Sequence, residues 1–156
     1  NRAAFEKCKT VAIWIKQMLD ALGWTSYVKT TGKTGLHIFV PIVRNIDTQA
    51  ARAMCATICN AVVGAHPRET TVEWSVPKRT GKVFLDFNMN ALGKTLGAAY
   101  SPRALPNQSM SMPVSWDELP SIYPEDFVMR DAESWFTSRG DAWAGMLRAK
   151  VDLTNL

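Results

Sequence analysis

The sequence predicts an α+β fold in which helices cover one side of a mainly antiparallel sheet. Three observations support this class: two segments with helical spacing of apolar residues, short β-branched runs separated by polar glycine turns, and an extended proline-containing region over residues 98–119. The 156 residues suffice for one domain with a hydrophobic core. Apolar residues make up 47% and charged residues 21%, which excludes a disordered chain or a coiled coil as the main structure.

The first predicted helix covers residues 4–22. Its apolar residues recur at three- and four-residue steps and form one stripe: Phe5, Cys8, Val11, Ala12, Ile15, Met18, Leu19 and Leu22. Gly23 is placed to end this helix in a left-handed conformation. Residues 24–30 and 36–42 follow as two strands, and the turn between them, residues 31–35, predicts a hairpin with a five-residue tip.

A second helix is predicted over residues 48–63, where Asp47 is placed to accept hydrogen bonds from the first turn. Its apolar face includes Cys55. Residues 70–75 and 82–87 have the composition of strands and are joined by a polar turn. These elements extend the sheet expected from the hairpin.

The C-terminal half is predicted to be less regular. Residues 88–97 lack a clear period, and a third helix is expected over residues 135–150, weakened by Gly140 and Gly145. The six tryptophans are spread along the chain, so we expect them in the core rather than as platforms for stacking bases.

The net charge of +4 permits a polyanionic partner without requiring one. Basic residues concentrate in residues 21–46 and 74–116, which together contain a single acid, whereas the charged residues within 117–133 are mostly acidic. The two basic segments could form one anion-binding face. Charge alone favours the alternative of a solvated surface with chance clustering.

Asp86 is the most informative residue, because it lies in a segment that is otherwise apolar, residues 83–87. A carboxylate in such a strand is costly to bury unless it is paired, hydrogen-bonded or bound to a metal. It is either an acid at a strand end that pairs with a lysine or arginine, or a metal ligand. The residues around it leave these two readings open.

His37 starts a strand directly after the glycine-containing tip. A single histidine is more often a packed, hydrogen-bonded side chain than a catalyst. The tip changes this balance, since glycines allow backbone N–H groups to converge on a phosphate while nearby hydroxyls and an ammonium group bind it. The residues that could do so are Thr30, Thr31, Gly32, Lys33, Thr34 and Gly35.

Three cysteines, Cys8, Cys55 and Cys59, make an odd set, which favours a reduced cytoplasmic protein. Cys55 and Cys59 share a helix face near His66, but a zinc site would need a fourth ligand, so core packing is the favoured interpretation. We find neither a secretion leader nor an apolar run long enough to cross a bilayer, and expect no membrane partner.

Four blocks of sequence, in order, resemble the polymerase domain of bacterial ligase D, in the archaeo-eukaryotic primase superfamily. They are residues 27–41 with the hairpin tip, residues 81–87 around Asp86, residues 94–103 and residues 113–119. The resemblance covers nearly the whole chain, and a free-standing small primase-polymerase would look the same. It implies a primase-polymerase-like fold, of which residues 1–156 form a partial domain.

The resemblance implies a metal-dependent nucleotidyltransferase that adds NTP or dNTP to DNA ends in double-strand break repair by non-homologous end joining. The cofactor would be Mn²⁺ or Mg²⁺ in a two-metal site. The partners would be DNA ends and nucleoside triphosphates, with Ku and a ligase domain as further partners that the family suggests. A non-catalytic nucleic-acid or nucleotide-binding module is the alternative.

The family's DxD motif, which carries its first two metal ligands, lies on a strand before the first helix, and this sequence starts too late to include it. We therefore expect the N-terminal portion of the domain to be missing. Since one carboxylate cannot hold two divalent ions, we expect the isolated 156 residues to be inactive.

The resemblance also implies roles for individual residues. Asp86 would be the catalytic and metal-binding carboxylate. The nucleotide-binding residues would be Thr31, Lys33, His37 and Arg103, and the DNA-binding residues would be Lys78 and Arg79. Two positions depart from the family pattern: the tip lysine, Lys33, comes one place early, and Met89 replaces a polar residue near the nucleotide.

Overall fold

The computed structural model describes residues 2–155, and within them helices pack against small sheets. The α-helices are α1 (Arg2–Ala21), α2 (Thr48–Ala65) and α3 (Ala132–Arg139). The strands are β1 (Tyr27–Thr30), β2 (Leu36–Phe39), β3 (Thr70–Thr71), β4 (Val83–Phe84), β5 (Ser101–Pro102), β6 (Met110–Ser111) and β7 (Pro113–Val114). The short 3₁₀-helices are Val76–Arg79, Leu119–Ser121, Pro124–Asp126, Met129–Asp131, Met146–Arg148 and Leu153–Asn155.

The main sheet has the order β2-β1-β7, with both pairings antiparallel. Its hairpin confirms the prediction: β1 and β2 pair with Lys29 opposite His37, and the turn between them is residues 31–35. The amide of Thr31 donates to the carbonyl of Gly35 at 2.9 Å, which closes the tip. The α+β class is confirmed.

The second pair of strands differs from the prediction. The strands expected over residues 70–75 and 82–87 shorten to β3 and β4, and these two pair in parallel. A 3₁₀-helix at Val76–Arg79, with Pro77 in its first turn, replaces the expected turn. Because Pro77 fixes its backbone angle and donates no hydrogen bond, this segment cannot continue as a strand. β5 and β6 form a third, antiparallel pair.

Helix α1 joins two hydrophobic clusters, because its apolar stripe is wide enough to face both the main sheet and α2. The first cluster contains Ala12, Val28, Met110, Met112, Val114, Leu119 and Phe127. The second contains Val11, Val62 and Leu85, which are contributed by α1, α2 and the residue after β4. The main sheet and the β3–β4 pair are therefore attached to the same helix.

The predicted helix ends are confirmed at two places. Gly23 adopts a φ of +72°, the left-handed conformation expected after α1. Asp47 accepts a hydrogen bond from the amide of Ala50 at 2.7 Å and so caps α2.

The third helix was predicted incorrectly over residues 135–150. Helix α3 covers Ala132–Arg139 and ends at Gly140, where φ is +67°. The chain then turns back on the main sheet, and the indole N–H of Trp143 donates to the carbonyl of Val28 at 3.0 Å. Gly140 breaks the helix because a left-handed residue cannot continue it.

Within residues 2–155, none of the helices combines the length and the apolar character that crossing a membrane requires.

Candidate functional site

The hairpin tip is organised around the hydroxyl of Thr31. Its oxygen accepts hydrogen bonds from the amides of Lys33 and Gly35, both at 3.2 Å. These two amides therefore already have a partner within the tip. The hydrogen of the Thr31 hydroxyl remains available to donate. The side chain of Lys33 is exposed at the tip.

Arg103 packs directly against the tip at Gly32. A Cβ atom built on Gly32 would overlap the Cγ of Arg103 and lie 2.9 Å from the carbonyl oxygen of Met110. Gly32 also has a φ of +72°, so two independent features favour glycine there. The hydroxyl of Ser109 donates to the carbonyl of Gly32, and the amide of Arg103 donates to the carbonyl of Ser109 at 2.8 Å. The tip and β5 are thereby held together.

Lys29 is a site residue that the sequence analysis missed, since it was counted only as part of a basic segment. Its side chain is 1% exposed, and its ammonium donates to the carbonyl of Gly97 at 2.7 Å and to the hydroxyl of Ser111. Burial and the charge of Arg103 lower the pKa of Lys29 to about 8. A lysine between two apolar or β-branched strand residues, Val28 and Thr30, was the available signal.

His37 lies opposite Lys29 on the neighbouring strand. Its Nδ1 atom is buried and has no hydrogen-bond partner among the described residues. Burial first, and then the positive charges of Lys29 and Arg103, lower the pKa of His37 to about 4, while the charge of Asp86 acts in the opposite direction. The imidazole is therefore neutral at pH 7, and it can donate or accept a hydrogen bond without adding charge.

Asp86 follows β4 and is exposed, so the expectation of a carboxylate inside an apolar strand is wrong. The strand ends at Phe84, and the Asp86 carboxylate accepts a hydrogen bond from the amide of Asn88 at 2.9 Å. Its charge opposes the lowering of the His37 pKa and adds to the raising of the Cys59 pKa. The carboxylate therefore lies within electrostatic reach of the hairpin strand.

The thiols of Cys55 and Cys59 lie on the α2 face near Asp86. The side-chain amide of Asn90 donates to the Cys55 sulfur at 3.3 Å. Burial, with smaller contributions from Cys55 and Asp86, raises the pKa of Cys59 to about 11, so this thiol stays protonated at neutral pH. His66 stacks on Trp14 with ring centroids 3.6 Å apart. Both thiols are free and half-buried, and Cys59 packs against the α1–α2 cluster.

The described residues do not by themselves form a metal centre. Across residues 2–155, no three histidine, cysteine, aspartate or glutamate side chains converge as a metal-binding group. Mg²⁺ and Mn²⁺ prefer several oxygen ligands, and the site region offers the carboxylate of Asp86. The donor set present fits one ligand of a divalent ion and does not fit a complete two-metal site.

A separate basic surface precedes β4. Lys78 is exposed on the 3₁₀-helix Val76–Arg79, and the Arg79 guanidinium carbon lies 4.1 Å from the ring centroid of Phe84. Trp74 packs edge-on against the same ring, with centroids 6.0 Å apart, yet is 67% exposed. The expectation that the tryptophans lie in the core is therefore wrong for Trp74, whose ring shares the Phe84 contact with Arg79.

The structure thus brings most predicted site residues together and separates two of them. Thr31, His37 and Arg103 adjoin one another through the tip and the buried Lys29, and Asp86 lies within electrostatic reach of His37. Lys78 and Arg79 lie on the preceding 3₁₀-helix. Lys29 and Arg103 form no ion pair within residues 2–155. Together with the neutral His37 imidazole and the Thr31 hydroxyl, these two cations are suited to binding a polyanion.

A structural comparison identifies the fold. The polymerase domain from Mycobacterium tuberculosis ligase D, solved in complex with DNA, superimposes with a TM-score of 0.85 and 23% sequence identity. The match covers 94% of this chain and 51% of that one. The likeness establishes the fold.

Sequence comparisons point the same way. The multifunctional non-homologous end joining protein LigD of Mycolicibacterium smegmatis is 30% identical over 109 residues, which are 70% of this chain and 14% of that protein. The bifunctional LigD protein of Bacillus subtilis is 31% identical over 121 residues, covering 74% of this chain and 20% of the relative. The chain therefore spans a small part of these relatives. The family described as "LigD, primase-polymerase domain" matches residues 1–143, and the chain belongs to this family.

Proposed function

We propose that this chain carries the nucleotide-binding part of a nucleotidyltransferase that adds NTP or dNTP to DNA ends during double-strand break repair. The observation that carries the proposal is the grouping of Lys29, His37 and Arg103 at the hairpin, within electrostatic reach of the Asp86 carboxylate. Membership of the LigD primase-polymerase family supports the reaction class. Family relatives named as non-homologous end joining proteins support the pathway.

The hairpin residues would bind the triphosphate. Arg103 supplies a planar guanidinium suited to two-point contact with phosphate, and the exposed ammonium of Lys33 supplies a mobile charge. The Thr31 hydroxyl has a hydrogen to donate. The neutral His37 imidazole can also donate, without repelling the charges of Lys29 and Arg103. These groups would neutralise charge on the transferring phosphoryl group, which is the main task in this reaction class.

The reaction would require Mn²⁺ or Mg²⁺, towards which Asp86 contributes one carboxylate. Divalent ions supply charge neutralisation on phosphoryl oxygens in this chemistry. Since the described residues hold no further converging ligands, we assign Asp86 the role of one metal ligand and expect residues 1–156 alone to lack turnover.

The basic surface before β4 would contact the nucleic acid. Lys78 and Arg79 supply charge for the phosphate backbone, and the exposed Trp74 ring supplies a face on which a base can stack. A DNA end is the proposed partner of this surface. Ku and a ligase domain are proposed as partners of the whole protein, in the cytoplasm.

The test is nucleotide addition by the full natural protein that carries these 156 residues. Purified protein is given a DNA duplex with a 3′ overhang, each NTP or dNTP, and Mn²⁺ or Mg²⁺, and extension is followed on a gel. We expect addition that Asp86→Ala abolishes, while Asp152→Ala, which alters an exposed carboxylate bonded to Thr154, leaves the rate unchanged. No addition by the parent protein, or full activity of Asp86→Ala, contradicts the proposal.

A second function is supported by the absence of converging metal ligands from residues 2–155. On this alternative, the chain is a nucleic-acid or nucleotide-binding module without chemistry. It predicts DNA affinity that falls steeply with salt, and no nucleotide addition with either ion. The extension assay separates the two functions.

A further inference from the structure

Two lysines are buried in the part of the chain that the structure describes, and their surroundings differ in kind. Lys9, 4% exposed, pairs with the carboxylate of Glu6 at 2.8 Å and with the carbonyl of Pro120 at 2.9 Å. Lys29 bonds only neutral oxygens, and the charged group that acts on it most is another cation, Arg103. A buried charge without a counter-charge is unfavourable, so its position calls for a functional explanation.

The hydrogen bonds of Lys29 connect three parts of the fold. Lys29 lies in the middle strand of the main sheet, Gly97 lies in the irregular segment before β5, and Ser111 ends β6. The Ser111 hydroxyl also donates to the carbonyl of Thr30 at 3.2 Å. The ammonium of Lys29 therefore fixes the backbone at Gly97 relative to the hairpin.

The Arg103 guanidinium packs against the backbone of Gly97. A Cβ atom built on Gly97 would collide with the Nη1 atom of Arg103 and lie 3.8 Å from the hydroxyl of Ser111. At the other end of the same side chain, the Cγ atom fills the space that a Cβ on Gly32 would need. Arg103 is thus held between two glycines, and Lys29 determines where one of them lies.

We propose that Lys29 is a positioning residue, whose ammonium fixes Gly97 and Ser111 so that the Arg103 guanidinium is aimed at a polyphosphate bound at the hairpin tip. The inference rests on the proposed function, because it deepens the role of the same anion site. Lys29 acts through Arg103 and does not need to touch the ligand. Its charge also adds to the positive potential at Arg103, which a bound polyphosphate relieves.

The test is a double-mutant cycle on this chain, with inorganic tripolyphosphate as the probe and calorimetry as the measurement. Lys29→Met keeps length and removes the charge, and Arg103→Ala removes the guanidinium. We expect each single variant to bind about tenfold more weakly, and the double variant to bind no more weakly than Arg103→Ala alone, as for residues that act through one another. Lys9→Met is the matched control and should keep the parent affinity.

Ser111→Ala gives a second route if Lys29→Met does not fold, since it removes one ammonium contact and leaves the lysine. Urea unfolding shows which variants are folded. We expect Ser111→Ala to weaken binding only when Arg103 is present. The positioning role is overturned, with the proposed function left intact, if folded Lys29→Met binds tripolyphosphate as tightly as the parent. It is also overturned if the fold-losses in affinity of Lys29→Met and Arg103→Ala multiply in the double variant. Absence of tripolyphosphate binding by the parent chain overturns both.

Discussion

Arg139 and Glu118 form a two-point ion pair that attaches α3 to the segment after β7. The Nε atom of Arg139 lies 2.8 Å from Oε1 of Glu118, and Nη2 lies 2.6 Å from Oε2. The amide and hydroxyl of Ser115 donate to the same carboxylate at 2.9 and 3.0 Å. The guanidinium carbon also lies 5.1 Å from the ring centroid of Phe127, so the pair borders the main core.

The first prediction concerns Glu118→Gln. The Arg139 contact lowers the pKa of Glu118 to about 2, from 4.5, so the stabilisation is present above pH 4.5 and lost as the pH falls towards 2. After allowance for partial exposure, we expect a loss of about 1 kcal/mol at pH 7, measured by urea unfolding. The variant should lose less stability than the parent between pH 4.5 and 2.

The control for this pair is Glu125→Gln, which breaks the exposed ion pair between Arg2 and Glu125. Exposed pairs contribute little because water and salt screen them, so we expect the urea midpoint to stay near that of the parent. Equal losses of stability in Glu118→Gln and Glu125→Gln would show that the Arg139–Glu118 pair contributes no more than an exposed ion pair.

The second prediction compares two glycines with the same backbone conformation. Gly23 and Gly32 both have a φ of +72°, but a Cβ on Gly23 meets open space, whereas one on Gly32 meets Arg103 and the Met110 backbone. Gly23→Ala should cost about 1 kcal/mol, from the left-handed conformation alone. Gly32→Ala should cost about 3 kcal/mol, because backbone atoms must also move.

Urea unfolding of both alanine variants measures this difference. We also expect Gly32→Ala to weaken tripolyphosphate binding, because Arg103 is displaced, and Gly23→Ala to leave it unchanged. A Gly32→Ala protein as stable as Gly23→Ala would mean that Arg103 and β6 do not pack on the tip as described.

Local sequence patterns were sufficient for α1 and for the hairpin. The apolar stripe around Leu19 and the turn chemistry of residues 31–35 depend on near neighbours, so the sequence carries them directly. Gly140 is visible in the sequence as a weak point, yet the pattern predicts a helix that continues through it. Its effect depends on Trp143 turning back to bond Val28, a contact that no local period reveals.

The candidate site was less predictable, because its properties depend on distant contacts. Asp86 is exposed and lies beyond the end of β4, and the Val83–Phe84 pairing with β3 could not be read from composition. Lys29 is buried, and its ammonium bonds the carbonyl of Gly97, 68 residues later. The family resemblance pointed to the nucleotide residues, while the burial and charge that surround them required the fold.

The third prediction concerns the exposed ring of Trp74. If the basic surface before β4 contacts nucleic acid, Trp74→Ala should weaken single-stranded DNA binding by about 1–3 kcal/mol, the range for one stacked base. Fluorescence anisotropy with a labelled oligonucleotide measures the affinity. Leu92→Ala is the control, since Leu92 is 90% exposed and apolar but lies elsewhere in the chain.

Arg79→Gln and Lys78→Gln test the charge of the same surface. Each should make the slope of log affinity against log salt concentration shallower, by about the amount that one phosphate contact contributes. Unchanged affinity of Trp74→Ala, together with an unchanged slope in the two charge variants, would remove this surface from the nucleic-acid interface.

The last prediction concerns the protonation of His37. Burial, then the charges of Lys29 and Arg103, bring its pKa to about 4, below the ordinary 6.5, so the unfolded chain takes up this proton at a higher pH than the folded one. His37 should therefore reduce stability as the pH falls from 6.5 to about 4, and His37→Gln should remove that part of the pH dependence. Imidazole proton signals followed by NMR give the pKa directly. Tripolyphosphate should raise it, because a bound anion offsets Lys29 and Arg103. A titration at the ordinary value, unmoved by the anion, would mean that His37 does not share the electrostatic environment of these two cations.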